Sequence, residues 1–349
     1  MHKKMSLTGA ALLAAAVLAA GSAHAQKLQK IVINYPTRSG ASWPMYMAKE
    51  GGYYQKYGLD VDLRFGVHPA GIAMIVSGEA AMTNYSLEQA MQAAVRDTGF
   101  VMVGSSLNKA LFALMGRKDL HNVKELKGKR IAVSQLGDAP FNYTIALLEK
   151  YGLGQRDVQW ISVGTDVSGR ASALVGGRAD ATLLTAPNYF RLEEQGYSTL
   201  ANLADHDDIY ASTTYLMRKN MVKEHPDLPE KLIKAQAEAI KRFYDDKAFA
   251  VKAYMAYDRQ PQADIEKIYD RYKSGNLFER VPYVLAGAIK SIEGQEADPQ
   301  IAARWKGFDF HQVVDNGYVD RLVKEGYFEK LFGPGVKTEE ERKAKLAFR

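Results

Sequence analysis

Apolar residues recur along this chain in two rhythms, one of period two and one near 3.6, and the order in which they alternate sets out its organisation. Ile31-Val32-Ile33 reads as a short buried strand, followed by a turn-rich stretch over residues 36–42. Pro44 fits a first helical turn, where its missing N–H leaves no bond unmade, so a helix is expected from Ser42 or Trp43 to Lys49. Gly51-Gly52 breaks it, and Gly58 ends a second short helix. Val61, Leu63 and Phe65 then alternate with Asp62 and Arg64, as in a half-buried strand. A strand–helix–strand opening implies a parallel sheet covered by helices.

The same sequence of rhythms returns in the middle of the chain. Strands are expected over residues 130–134, 158–163, 180–184 and 198–203, with helices over 140–151, 168–175 and 187–195. Gly152 and Gly196 close two of these helices. Residues 113–211 thus form a second α/β unit, and residues 210–217, rich in β-branched and aromatic side chains, read as a returning strand. Leu232, Ile233, Ala237, Ile240, Phe243 and Tyr244 share one face of a helical region over 228–257. More helices follow to about Leu331, and in the charged C-terminal tail over 332–349 the segment 337–345 is expected to be loose.

The amino-terminal residues follow a different logic. His2, Lys3 and Lys4 precede an uncharged apolar run over residues 7–20, which leads to Ala23-His24-Ala25. That is the form of a secretory signal cut after Ala25, and the run is shorter than the roughly 20 residues of a membrane span. Residues 1–25 are therefore expected to be a signal and the chain to work in the periplasm. The remainder is too long for one core and suits two domains. With no cysteine, it depends on apolar burial, for which 47% hydrophobic residues are ample. The net charge of +6 is spread thinly and includes two signal lysines, so nucleic acid is not an expected partner.

Three segments in order resemble one family. They are Trp43-Pro44-Met45-Tyr46-Met47-Ala48-Lys49-Glu50-Gly51-Gly52-Tyr53-Tyr54 with Tyr57-Gly58-Leu59-Asp60-Val61, then Leu126-Lys127-Gly128-Lys129-Arg130-Ile131-Ala132-Val133, then Gly176-Gly177-Arg178-Ala179-Asp180-Ala181 with Pro187. The set is similar to solute-binding proteins of nitrate, taurine and alkanesulfonate importers, the NMT1/THI5-like family, whose relatives include proteins of thiamine-pyrimidine synthesis. The resemblance implies an α/β, type II periplasmic binding protein fold of two doubly wound lobes joined by two crossing segments. Lobe one would take residues 26–112 and 212–331, lobe two residues 113–211, with crossings at 111–117 and 210–218. It also implies hinged closure on a small-molecule ligand, delivery to an ABC importer permease in the inner membrane, and a monomer without cofactor or metal.

Ligands of open α/β sheets bind outside the carboxyl ends of the strands, so the candidate residues are sought there. In lobe one these are Arg38, Ser42, Trp43, His68, Asn84, Tyr85 and Ser86; in lobe two Gly137, Asp138, Phe141, Thr185 and Asn188. Ser42, Ser86 and Gly137 stand at helix starts, where unpaired N–H groups attract anions, although the two serines also suit plain capping. Arg38 can grip an anion with two prongs, or lie solvated. Asp138 suits an N-cap, or the amine of a zwitterion. Trp43 and Tyr85 offer flat faces for an organic ligand, and His68 either joins them or is a hydrogen-bonded turn residue.

Catalytic patterns are missing from the sequence. Gly40-Ala41-Ser42-Trp43-Pro44 lacks the second glycine of a nucleophile elbow, Gly152-Leu153-Gly154 is no dinucleotide loop, and no H-E-x-x-H occurs. The expected role is capture of an organic anion, an aromatic carboxylate, a sulfonate or taurine. The alternatives are a periplasmic sensor and a pyrimidine-precursor protein.

Overall fold

In the computed structural model, which describes residues 28–349 other than 165, 166, 207, 297 and 298, two five-stranded sheets carry the chain. The expected signal over residues 1–25 and most of the loop over 164–166 lie outside the described residues. The first sheet has the order β2 (Leu59–Phe65), β1 (Gln29–Tyr35), β3 (Met82–Ser86), β10 (Thr213–Arg218), β4 (Phe100–Met102). The second repeats that scheme as β7 (Gln159–Ser162), β6 (Arg130–Val133), β8 (Ala181–Thr185), β5 (Phe112–Gly116), β9 (Ser198–Asn202). In each, three parallel strands are followed by one antiparallel strand that arrives from the other half of the chain and pairs with a last edge strand.

Two of the quoted motifs lock the second sheet together. Asp180 accepts from the Arg130 backbone at 2.9 Å and from the guanidinium groups of Arg130 and Arg117 at 3.0 and 2.8 Å. The acid of one motif is thus the counter-charge of an arginine in another, at the strand ends away from the cleft.

The first core gathers rings. Trp43, Tyr46, Tyr54, Phe243, Tyr254 and Tyr269 are fully buried where the helix Trp43–Glu50 meets the helices Leu228–Asp245 and Lys247–Met255. Tyr46 and Tyr257 stack with centroids 4.3 Å apart. Ala113, Met115, Leu184, Tyr189 and Phe190 of the second half join the same buried cluster, so apolar packing runs across the junction.

Three expectations change. Most of 111–117 and 210–218 forms β5 and β10 within the lobes; with Leu107 still in the first core and Leu203, Ile209 and Ala211 in the second, the chain passes over at about 108–111 and returns at about 210–212. These crossings bind each other, Ala110 N to Ala211 O at 3.2 Å and Ala211 N to Asn108 O at 3.1 Å. The helical region over 228–257 breaks at Asp246, whose carboxylate caps a new helix by accepting from Phe249 N at 3.0 Å. The segment 332–349 is no loose tail. It forms the helix Val336–Leu346, and Lys343 pairs in a buried position with Glu279. Phe348 N then donates to Val284 O at 2.9 Å and Arg349 takes Asp320 by two bonds of 2.8 Å. Glu339, Lys343 and Arg349 looked solvated because their partners, Arg280, Glu279 and Asp320, lie far away in sequence.

Candidate ligand cleft between the lobes

The carboxyl ends of β3, β6 and β8 lead into the junction of the two halves, where Asn142 bonds Glu88 and Tyr189 and Phe190 pack on the first core. On the first side, the loop 36–42 is tied down by its own polar groups. Ser42 Oγ donates to Thr37 O at 2.7 Å, and Asn84 Nδ2 donates to Ala41 O at 2.9 Å. A glycine is required at position 40, since a Cβ there would come within 2.4 Å of the Tyr272 ring. Ser42 thus ties the loop rather than capping the helix that follows, which has no side-chain cap. Ser86 does cap, accepting from Gln89 N at 3.3 Å. Arg38 is exposed at the rim and lies over the Phe65 ring at 3.8 Å.

Two aromatic candidates turn away from a ligand. Trp43 is fully buried, donates from Nε1 to Ala250 O at 2.8 Å and packs on Phe243 and Tyr254. As the first residue of an amphipathic helix it follows the apolar face inward. Phe141 is buried against Trp160, 4.5 Å away, and is a core residue of the second half. Tyr85 and His68 make a closed pair: the Tyr85 hydroxyl donates to His68 O at 2.6 Å and the rings meet edge to face at 4.7 Å. Burial pushes the His68 imidazole down to about 4, so it is neutral at ordinary pH.

On the second side, Gly137 adopts φ +79, which turns the loop so that Asp138 stands extended at the start of the helix Ala139–Lys150. Asp138 caps it, accepting from Phe141 N at 2.8 Å and Gln135 N at 3.2 Å. Burial raises its pKa, against the pull of those bonds and of Arg170. Thr185 and Asn188 are half-buried at the end of β8.

Three polar residues missed by sequence reasoning stand in the same region. Arg170 is buried near the end of β6, its guanidinium donating to Ser134 Oγ and, at 3.2 Å, to Leu183 O. Glu88 and Asn142 meet across the junction, Asn142 Nδ2 donating to Glu88 Oε1. Burial, then the Glu296 and Asp138 carboxyls, outweigh that bond and push the Glu88 acid up to about 8. The available signal for Glu88 was an acid directly after a strand's carboxyl end, which also describes an ordinary first-turn helix residue.

Beside the cleft the lobes touch through charged pairs. Arg191 binds Asp264 at 2.8 Å and Lys267 meets Glu194, while Ser291 Oγ donates to Asp208 O at 2.8 Å. Among the described residues, no group of three or more His, Cys, Asp or Glu can hold a metal ion, and no helix is long and apolar enough to cross a membrane.

Two α/β lobes of identical strand order, the first completed by a strand that follows the second, define the periplasmic binding protein fold. The NMT1/THI5-like family model matches residues 40–248, and the chain belongs to that family. Among solved structures, the periplasmic sulfonate-binding protein SsuA from Methylobacillus flagellatus KT is 17% identical at TM-score 0.70, over 87% of this chain and 96% of that one. The periplasmic nitrate-binding protein NrtA from Synechocystis PCC 6803 is 14% identical at TM-score 0.67, over 86% and 89%. The chain is also 23% identical over 248 residues to the 4-amino-5-hydroxymethyl-2-methylpyrimidine phosphate synthase THI13 of Saccharomyces cerevisiae, 66% of this chain and 71% of the yeast protein.

Proposed function

We propose that this chain is the periplasmic solute-binding component of an ABC importer, closing its lobes over a small organic acid and presenting it to an inner-membrane permease. The observation that carries the reading is the gathering of polar groups at the facing strand ends. Ser42, Asn84 and Ser86 stand on one side, and Ser134, Arg170 and the turn at Gly137 on the other. Arg170 supplies the positive charge for an anionic group, and Arg38 at the rim steers it inward. The sulfonate- and nitrate-binding neighbours support the same reading. Cytosolic chemistry on a pyrimidine precursor is the second reading, supported by the yeast synthases.

Thermal melting against sulfonates, aromatic carboxylates, taurine, nitrate and aminopyrimidines tests both. A ligand at 100 times its Kd adds about 2.7 kcal/mol to the folded state. Arg170→Gln is expected to weaken the best anion at least tenfold and Arg38→Ala only a few-fold. If both leave its affinity unchanged, the anion end is wrongly assigned. Product appearing by mass spectrometry with a bound pyrimidine would favour the second reading. Loss of cellular uptake on deletion separates import from a sensor role.

A further inference from the structure

Glu88 stands in the first turn of the helix Leu87–Arg96, just beyond the end of β3, and Asn142 stands one turn into the helix Ala139–Lys150 of the other lobe. Both are essentially out of solvent, at 1% and 2% exposure. Their single bond uses Glu88 Oε1 and Asn142 Nδ2, and it leaves Glu88 Oε2 and Asn142 Oδ1 buried without a partner. Asn84 Oδ1, on β3 itself, is buried and unpartnered as well. Amide oxygens accept and never donate, and so does a carboxylate once ionised. The neutral acid can instead turn its Oε2–H to Asn142 Oδ1, so it is on ionisation that Glu88 and Asn142 both present acceptors to a donor, with Asn84 Oδ1 unpartnered in either state. The charges that act on Glu88 are the carboxyls of Glu296 and Asp138, both of its own sign. Acceptors in a negative field are best met by a donor that brings positive charge, an ammonium or protonated ring nitrogen, ahead of a neutral hydroxyl or water.

We propose that Glu88 and Asn142 together seat a cationic or N–H-donating nitrogen of the ligand, so that the solute is an amino-substituted acid or an amino heterocycle rather than a simple anion. This rests on the reading of the cleft as a solute site. Without solute, burial keeps the Glu88 acid protonated at neutral pH; an arriving ammonium group takes over as its counter-charge, and the Oε–H proton leaves to solvent. The seat lies on one side of the cleft and Arg170 answers the ligand's anionic end.

Calorimetry on the purified protein tests the seat with two probe pairs that differ only in nitrogen substitution, taurine against ethanesulfonate and 4-aminopyrimidine against pyrimidine. The amino member of at least one pair is expected to bind at least tenfold tighter. Titrations in two buffers of different ionisation heat are expected to show release of up to one proton per taurine at pH 7. Glu88→Gln should cut the amino preference, the ratio of taurine to ethanesulfonate affinity, tenfold or more, with an unchanged melting profile at pH 5 confirming its fold. Asn142→Leu, which keeps the acid and removes the amide, should cut the same preference by a smaller factor. Ethanesulfonate binding as tightly as taurine, or a preference untouched by Glu88→Gln, overturns the seat and leaves solute binding standing. Failure of all four probes counts against the solute-binding reading and removes the seat with it.

Discussion

The junction of the lobes should respond to pH through one acid. Glu88 is held at about 8 in the closed arrangement, against an ordinary value of 4.5, and the groups around it are Asn142, Tyr143, Asp138 and Glu296. Below pH 4.5 the acid is neutral whether the lobes are closed or apart. Between 4.5 and 8 it ionises wherever water reaches it while the closed form keeps its proton, so closure loses free energy as pH rises and levels off above 8. At 1.36 kcal/mol per unit, the full span is at most about 5 kcal/mol. Separation of the lobes costs less than global unfolding, so the loss should appear first as opening. Small-angle scattering of the ligand-free protein from pH 5 to 8.5 is expected to show a rising radius of gyration. Glu88→Gln, always neutral, should flatten that rise and match the wild type at pH 5. Parallel curves for the two proteins would refute the argument.

Two further outcomes follow from packing. Trp43→Ala removes a fully buried ring and its bond to Ala250 O, so it should cost about 3–5 kcal/mol in urea unfolding, without a selective effect on any ligand. Truncation after Leu331 uncovers Val284 and leaves Glu279 and Asp320 without their cations; a melting temperature lowered by several degrees is expected, and an unchanged one would mean that the docked segment contributes nothing.

Most of the architecture was legible because it depends on local rhythm. Gly51-Gly52, Gly58, Gly152 and Gly196 punctuate the elements in the sequence much as the helices and strands end in the structure. The break at Asp246 was not, since it occurs within an unbroken apolar face and is decided by a single cap. Site residues were harder to read. Trp43 and Phe141 were chosen for chemistry and position, yet each follows its helix's apolar side into a core that only tertiary packing defines. Capping was one of the readings open for Ser42, Ser86 and Asp138, and Ser86 and Asp138 do cap, a role settled within three residues, whereas Ser42 bonds back to Thr37 O instead. Glu88 and Asn142 stand 54 positions apart, and nothing local marks either as the other's neighbour. Their meeting is a property of how two lobes abut.

The strand β10 occupies an inner place in the first sheet, between β3 and β4, although it follows the whole second sheet in the chain. A ribosome must therefore deliver more than 200 residues before that sheet can be completed, whereas strands β5 to β9 emerge together. The later-encoded half is the first able to mature, and the earlier one waits, with β3 and β4 unjoined, for a piece made after its neighbour is finished. Any partner that must hold this chain unfolded has its longest task at the amino-terminal sheet.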